Sequence, residues 1–195
     1  SGTMPGTQKD IEFNKNITMP TPNATLSGWH TDGRWYTTKR ADDKYYGFGT
    51  SQKNVGKAST QTTLYLNWIP NTYTVIYNQN KPSSASHDVQ GTIVGKDTNK
   101  QDLSNKSIYT YDESGYLAKN KFTLTGWKFT GWNTKADGSG KSYEDAQGIK
   151  NLTTVNNGTV NLYAQWKPVT YYVRFNSNGG DGATTKQQLT YDKNE

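Results

Sequence analysis

The 195-residue chain predicts a mainly β protein, α+β at most, assembled from small tandem modules with short or no helices. Three observations carry this: stretches that alternate apolar and polar residues, the absence of helical spacing, and a long internal repeat. Tyr73-Thr-Val-Ile-Tyr77, Thr159-Val-Asn-Leu-Tyr-Ala-Gln-Trp166 and Tyr171-Tyr-Val-Arg-Phe175 combine β-branched and aromatic side chains with near period-two alternation, as half-buried strands do. No window of about eleven residues keeps apolar positions at three-and-four spacing. At most a short helical turn is expected near Ser142–Gln147 or Ala118–Asn120. Asn178-Gly-Gly-Asp-Gly182, Asp137-Gly-Ser-Gly140 and Asn156-Asn-Gly158 supply residues that accept positive φ, which tight hairpins and bulges require.

The repeat organises the chain. Leu64-Tyr-Leu-Asn-Trp-Ile-Pro70 returns as Leu162-Tyr-Ala-Gln-Trp-Lys-Pro168, so that Trp68 recurs at Trp166 and Tyr73 at Tyr171, both 98 residues on. Leu26-Ser-Gly-Trp-His-Thr31 is matched with Phe129-Thr-Gly-Trp-Asn-Thr134, which sets Gly28 against Gly131 at 103 and implies an intervening five-residue indel. Ile11–Asn14, Tyr109–Asp112 and Leu189–Asp192 form a third echo. The expected layout is a first module over 1–70 lacking its opening strand, a complete second module over 71–168, and the opening strands of a third over 169–195. Module two carries an insertion at 79–107, expected to be a peripheral excursion with an added strand over Val89–Val94.

Hydrophobic residues make up only 31% of the chain, but 14 Tyr and 6 Trp bring aromatics to 13%, so several shallow cores built on rings are expected. The absence of Cys excludes disulfides, a thiolate nucleophile and cysteine-ligated zinc. The formal charge of +6 comes from 22 Lys and Arg against 16 Asp and Glu, scattered singly apart from Lys39-Arg40. That pattern lacks the concentrated stripe that phosphate binding uses, so no nucleic acid is expected. Apolar runs fall far short of the roughly 20 residues that span a bilayer, hence no membrane insertion is expected. Ser1-Gly-Thr-Met4 reads as a cloning remnant, with any export signal or wall anchor outside this segment.

Gly131-Trp-Asn-Thr-Lys-Ala-Asp-Gly-Ser-Gly-Lys-Ser-Tyr143, then Asn151-Leu-Thr153, Gly158–Trp166 and Val173–Gly180, resembles the Listeria–Bacteroides (internalin B-type) repeat. The likeness is close from Gly126 to Gly180, moderate from Gly28 to Asn78 and weak over the first ten residues. The resemblance implies β-grasp-like modules in tandem in Gram-positive surface or secreted proteins. Its implied location is extracellular, wall-associated or secreted. Module one departs from the family pattern between Arg34 and Phe48, where a longer stretch stands in place of Ala-Asp-Gly-Ser-Gly.

Little in the chain suggests catalysis. His30 and His87 fall in different modules without a companion at triad or metal spacing, so no enzyme activity, metal or cofactor is expected. Asp137 opens a loop that fails the EF-hand pattern, since Ser142 and Gly148 hold the places of its Gly and Glu. Five Asn-X-Ser/Thr sequons, at Asn16, Asn23, Asn105, Asn151 and Asn157, reflect Asn- and Thr-rich composition. Trp29, Trp68, Trp132 and Trp166, with Tyr65 and Tyr163, are the expected core, and Trp35 and Tyr45 are expected to be more exposed. The ligand-binding candidates are Trp35, Tyr36, Arg40, Tyr45 and Tyr46, flat rings among hydrogen-bonding side chains on a variable loop. The leading expectation is a non-catalytic spacer or adhesive region meeting a host or matrix protein or a glycan. A carbohydrate-binding accessory module of a glycan-active enzyme and a host-protein (for example immunoglobulin) binder are the alternatives. Tyr171–Asn176 is expected to be an ordered strand paired with another module, within a chain or by strand exchange between chains, because an isolated hairpin is marginal in water; filling the open edge of module one, packing on module two and disorder beyond about Pro168 are the three outcomes it allows.

Overall fold

The computed structural model describes residues 14–41, 44–56, 61–180, 182 and 185–193; the expected strand at Ile11–Phe13 and the acidic pair Asp42-Asp43 lie outside them. The described residues contain strands, turns and bends and no helix, so the fold is mainly β and the short helical turns do not form. Two compact units divide the chain, Ser1–Thr72 with Thr154–Asn156, and Tyr73–Thr153 with Asn157–Glu195.

In the first unit β1 (Asn16–Thr18), β2 (Trp29–Tyr36), β3 (Tyr45–Gly47), β4 (Ser51–Lys53) and β5 (Tyr65–Pro70) form two small antiparallel sheets, β3-β2-β5 and β1-β4. Met19, Trp35 and Tyr46 make the core, with Ile17, Phe48, Val55, Leu64 and Leu66 against them. Trp35 donates its indole N–H to the Pro20 carbonyl at 2.7 Å, which satisfies the polar atom that burial would otherwise strand.

The second unit holds β6 (Thr72–Asn78), β7 (Val94–Lys96), β8 (Asp102–Ser104), β9 (Lys106–Thr110), β10 (Gly115–Tyr116), β11 (Trp127–Asn133), β12 (Ser142–Tyr143), β13 (Gly148–Ile149), β14 (Gly158–Pro168), β15 (Thr170–Phe175) and β16 (Thr185–Thr190). Its main sheet runs β12-β11-β14-β6-β9. β14 and β6 are parallel at the centre, and β11 is antiparallel to β14. First and last strands side by side and parallel make this a β-grasp-like sheet. β6 alternates strictly: Tyr73, Val75 and Tyr77 are buried and the residues between them are half-buried. They pack on Trp132, Leu162 and Ala164, each fully buried large apolar side chain contributing about 1.5–3 kcal/mol.

The two modules share one plan, in a register that differs from the expected one. Trp29 faces Pro70 as Trp127 faces Pro168, and Thr31 faces Trp68 as Phe129 faces Trp166. Past a bulge, Trp35 lies between Tyr46 and Leu66 as Trp132 lies between Tyr143 and Ala164. Gly28 therefore answers to Gly126, both at positive φ (79 and 76), and the match of Gly28 with Gly131 is corrected. The bulge runs between Thr31 and Trp35 in β2 but between Phe129 and Gly131 in β11, one residue longer in module one. The loops that follow, Thr37–Lys44 and Thr134–Lys141, are equal in length and closed alike, by Thr37 N–H to Lys44 O at 3.1 Å and Thr134 N–H to Lys141 O at 3.0 Å. Module one thus has no lengthened loop. Asn14, Asp112 and Asp192 all take positive φ, and Asn14 pairs with Asn54 as Asp112 pairs with Asn151.

Two further expectations fail on packing. The insertion is not peripheral: Ala85, Val89 and Ile93 are buried in the core of module two. Its added strand is β7, paired with β8, while Gln90 makes only an isolated bridge to Thr123. Two sequon residues have structural work of their own: Asn105 accepts the Ile93 N–H at 2.8 Å, and Asn151 holds Asp112. The hairpin β15–β16 pairs with itself rather than with a module. Beyond β16 it is tied to its own unit, where the Asp192 carboxylate accepts Ser86 Oγ at 2.6 Å, Ser86 N–H at 3.0 Å and the Trp127 indole at 2.9 Å.

Candidate functional site: the tyrosine face of module one

The five candidate residues do not form one site. Alternation along β2 and β3 turns Trp35 and Tyr46 into the core, 5% and 4% exposed, the places held in module two by Trp132 and Tyr143. They are corrected from ligand candidates to framework residues. Of the tryptophans expected in the core, Trp132 is buried at 1%, whereas Trp29, Trp68 and Trp166, like Tyr65 and Tyr163, are only half-buried. Arg40 is exposed on the loop after β2.

Tyr36 and Tyr45 lie on the opposite face of the sheet, where Tyr36 is itself buried, 5% exposed, and Tyr45 stands out beside it. Tyr36 faces Tyr45 on one side and Tyr65 on the other, a row of three tyrosines across three strands. Tyr45 is 51% exposed, and its ring centroid lies 5.8 Å from that of Tyr36. The Arg34 guanidinium lies 4.2 Å from the Tyr45 ring centre and Lys39 Nζ 5.8 Å from that of Tyr65, within cation–π range. Asp32 anchors the row: one oxygen accepts the Tyr36 hydroxyl at 2.5 Å and the Asn67 amide at 3.3 Å, while the other, Oδ1, is buried without a hydrogen bond.

The electrostatics raise the pKa of two groups of this face. The Asp32 carboxylate, and burial after it, raise the Tyr36 hydroxyl above its ordinary value, so it stays a donor. The hydrogen bond with Tyr36 and the neighbouring Tyr45 raise the Arg34 guanidinium. The result is an exposed Tyr45 ring backed by the buried Tyr36 and covered on one side by the Arg34 guanidinium, suited to stacking rather than proton transfer. Among the described residues no group of three His, Asp or Glu could hold a metal. His30 shares a hydrogen bond with Asn71 at 2.8 Å, and His87 contacts Ser86 at 2.9 Å.

Module two shows what the scaffold needs at these places. Asn133 replaces Tyr36 and holds its loop through Gly138 O, Gly140 O and Ser142 Oγ at 2.9–3.1 Å; Ser142 replaces Tyr45. The tyrosines at 36 and 45 are thus particular to module one. The signal that separates them from Trp35 was available as the near-constant offset between Trp35 and Trp132.

No family model and no solved structure matches the chain. It is similar to two curated proteins of Evansella cellulosilytica. One, named "Putative Gly-rich membrane protein", is 32% identical over 160 residues, covering 80% of this chain and 15% of that protein. The other, named "Putative membrane protein", is 25% identical over 162 residues, covering 80% of this chain and 20% of that protein. The chain therefore spans less than a quarter of the length of either relative. Both names speak of membrane proteins, which counts against the expectation of no membrane insertion; the names describe those proteins, of which this chain matches 15% and 20%. Among the described residues no helix is long and apolar enough to cross a membrane, a statement that leaves strands aside.

Proposed function

We propose that this chain is a non-catalytic repeat region, of the Listeria–Bacteroides type, in a Gram-positive cell-surface or secreted multidomain protein held at the envelope. It acts as a spacer and presents an adhesive face. The observation that carries the reading is the correspondence of Trp35 and Tyr46 with Trp132 and Tyr143 in the two cores, set against the exposed ring of Tyr45, which stands where module two has Ser142. A shared framework with one altered surface is how a repeat scaffold carries recognition. The relatives support the setting, since their names place them at a membrane and most of their length lies outside the matched stretch.

The test exchanges the face while leaving the framework alone. In the full-length parent displayed on cells, Tyr45→Ser, the residue module two uses, should leave the distance of the distal domain from the wall unchanged and reduce attachment to coated surfaces. Removing one repeat unit should shorten that distance. Unchanged reach after removing a repeat, together with unchanged attachment after the exchange, would overturn both halves of the proposal.

A further inference from the structure

A second surface feature lies on module two and is independent of the tyrosine face. The insertion hairpin β7–β8 stands beside β9 and β10, and a cleft of about 270 Å³ opens between them. Lys96, Thr98 and Lys100 line one side; Tyr109, Glu113 and Tyr116 line the other. Two glycines shape it. A Cβ on Gly95 would lie 2.0 Å from the Lys106 carbonyl, so only glycine lets β7 approach β9 this closely. A Cβ on Gly115 would lie 3.0 Å from the Tyr109 ring, the ring whose hydroxyl donates to the Tyr116 carbonyl at 2.8 Å and fixes the cleft wall.

The repeat again separates framework from addition. Gly115 and Tyr116 stand where module one has Ile17 and Thr18, on strands paired in the same way, Thr18 with Ser51 and Tyr116 with Gly148. The β1–β4 pair forms with Thr18, yet module two places there a tyrosine that is 76% exposed. Such a ring contributes little burial to folding, and across the cleft Val94 is also exposed. The changes at 115 and 116 accompany the insertion that builds the opposite wall.

We propose that this cleft binds a neutral polysaccharide, with the exposed face of Tyr116 stacked on the apolar face of a pyranose ring. Thr98, Lys100 and Glu113 meet the sugar hydroxyls. The volume of about 270 Å³, just below the roughly 300–1,000 Å³ of small-molecule sites, suits one sugar unit of a longer chain. Charge selects the class: the lining sets Lys96 and Lys100 against Asp97 and Glu113, and Lys96 is paired with Asp102, so neither sign dominates, and an anionic polymer would meet the Asp97 and Glu113 carboxylates.

The experiment titrates the 195-residue chain, followed by amide and aromatic NMR shifts, with cellohexaose and chitohexaose as neutral probes and polygalacturonate as the anionic one. The proposal expects shifts at Tyr116, Val94 and Glu113 with at least one neutral probe. Tyr116→Thr, the residue module one carries, should weaken that binding about fivefold to tenfold, the scale of one lost ring contact, with the melting temperature unchanged. Absence of shifts with both neutral probes, binding of polygalacturonate alone, or undiminished binding by Tyr116→Thr would overturn it. None of these outcomes bears on Tyr36 or Tyr45, so failure here is distinct from failure of the spacer and adhesive reading.

Discussion

Trp35 and Trp132 hold one position of the repeat, each buried between a tyrosine on one neighbouring strand and an aliphatic residue on the other. They differ in their polar atom. Trp35 Nε1 donates to Pro20 O at 2.7 Å, whereas Trp132 Nε1 is buried with no hydrogen-bond acceptor, and its indole is held by Tyr77 and Phe129 rings 5.2 and 5.0 Å away.

The first prediction follows from that equivalence. Trp35→Ala should destabilise module one by about 3–5 kcal/mol, as large-to-small changes at buried aromatic sites do. Tyr45→Ala should cost about 1 kcal/mol or less, since half of that ring is already in water. Urea unfolding of the two variants decides between them. Equal midpoints would mean that Trp35 is not the core of its module.

How much of this was legible in the sequence turns on the same residues. The strands at Tyr73–Tyr77 and Thr159–Trp166 could be read because they alternate with period two and carry β-branched and aromatic side chains, so fold class and repeat followed. Local similarity mispairs the glycine-tryptophan blocks, because Gly28-Trp29 and Gly131-Trp132 share a dipeptide while Leu26-Ser-Gly-Trp29 and Leu124-Thr-Gly-Trp127 share a position. A one-residue difference in bulge length hides the true register from local similarity. That error moved Trp35 and Tyr46 from core to candidate site. Burial of Ala85, Val89 and Ile93 was illegible for another reason: they lie in irregular chain, where no period marks the inward side.

The insertion supplies a second prediction. Ile93 is 0% exposed, and Ile93→Ala should cost about 2–5 kcal/mol. Deleting residues 79–107 with a short turn in their place should abolish or sharply weaken the cooperative melting of module two. A deletion variant that melts like the parent would show that these residues only cover the core.

At Asp192 the prediction concerns pH. The hydrogen bonds from Ser86 and from the Trp127 indole lower its carboxyl below the ordinary 3.8. A folded-state value below the unfolded one contributes anchorage that is present above 3.8. That anchorage declines as the pH falls past this point and is gone below the lowered folded value. The Trp127 indole and Tyr191 ring resonances should therefore move together on acidification below about pH 4, and Asp192→Asn should abolish that movement. Resonances that stay fixed to pH 2 in the parent would refute the role assigned to this carboxylate.

Gly126 gives a fourth prediction at the same place. Its φ of +76 and the Tyr191 ring, 2.0 Å from where a Cβ would sit, leave no room for a side chain. Gly126→Ala should displace Tyr191 and release the β15–β16 hairpin, seen as faster amide exchange across Thr170–Thr190 with the core of module two still protected. Unaltered exchange in the hairpin would show that the Tyr191 contact does not hold it.

The measurement that bears most directly on the register of the two modules is hydrogen exchange of the six tryptophan indole N–H groups in the intact chain. The account predicts that the Trp35 indole, buried and bonded to Pro20, exchanges only when module one unfolds, and that the Trp132 indole exchanges only when module two unfolds. A Trp35 indole that exchanges at the rate of free indole under native conditions would return Trp35 to the surface and contradict the shared core.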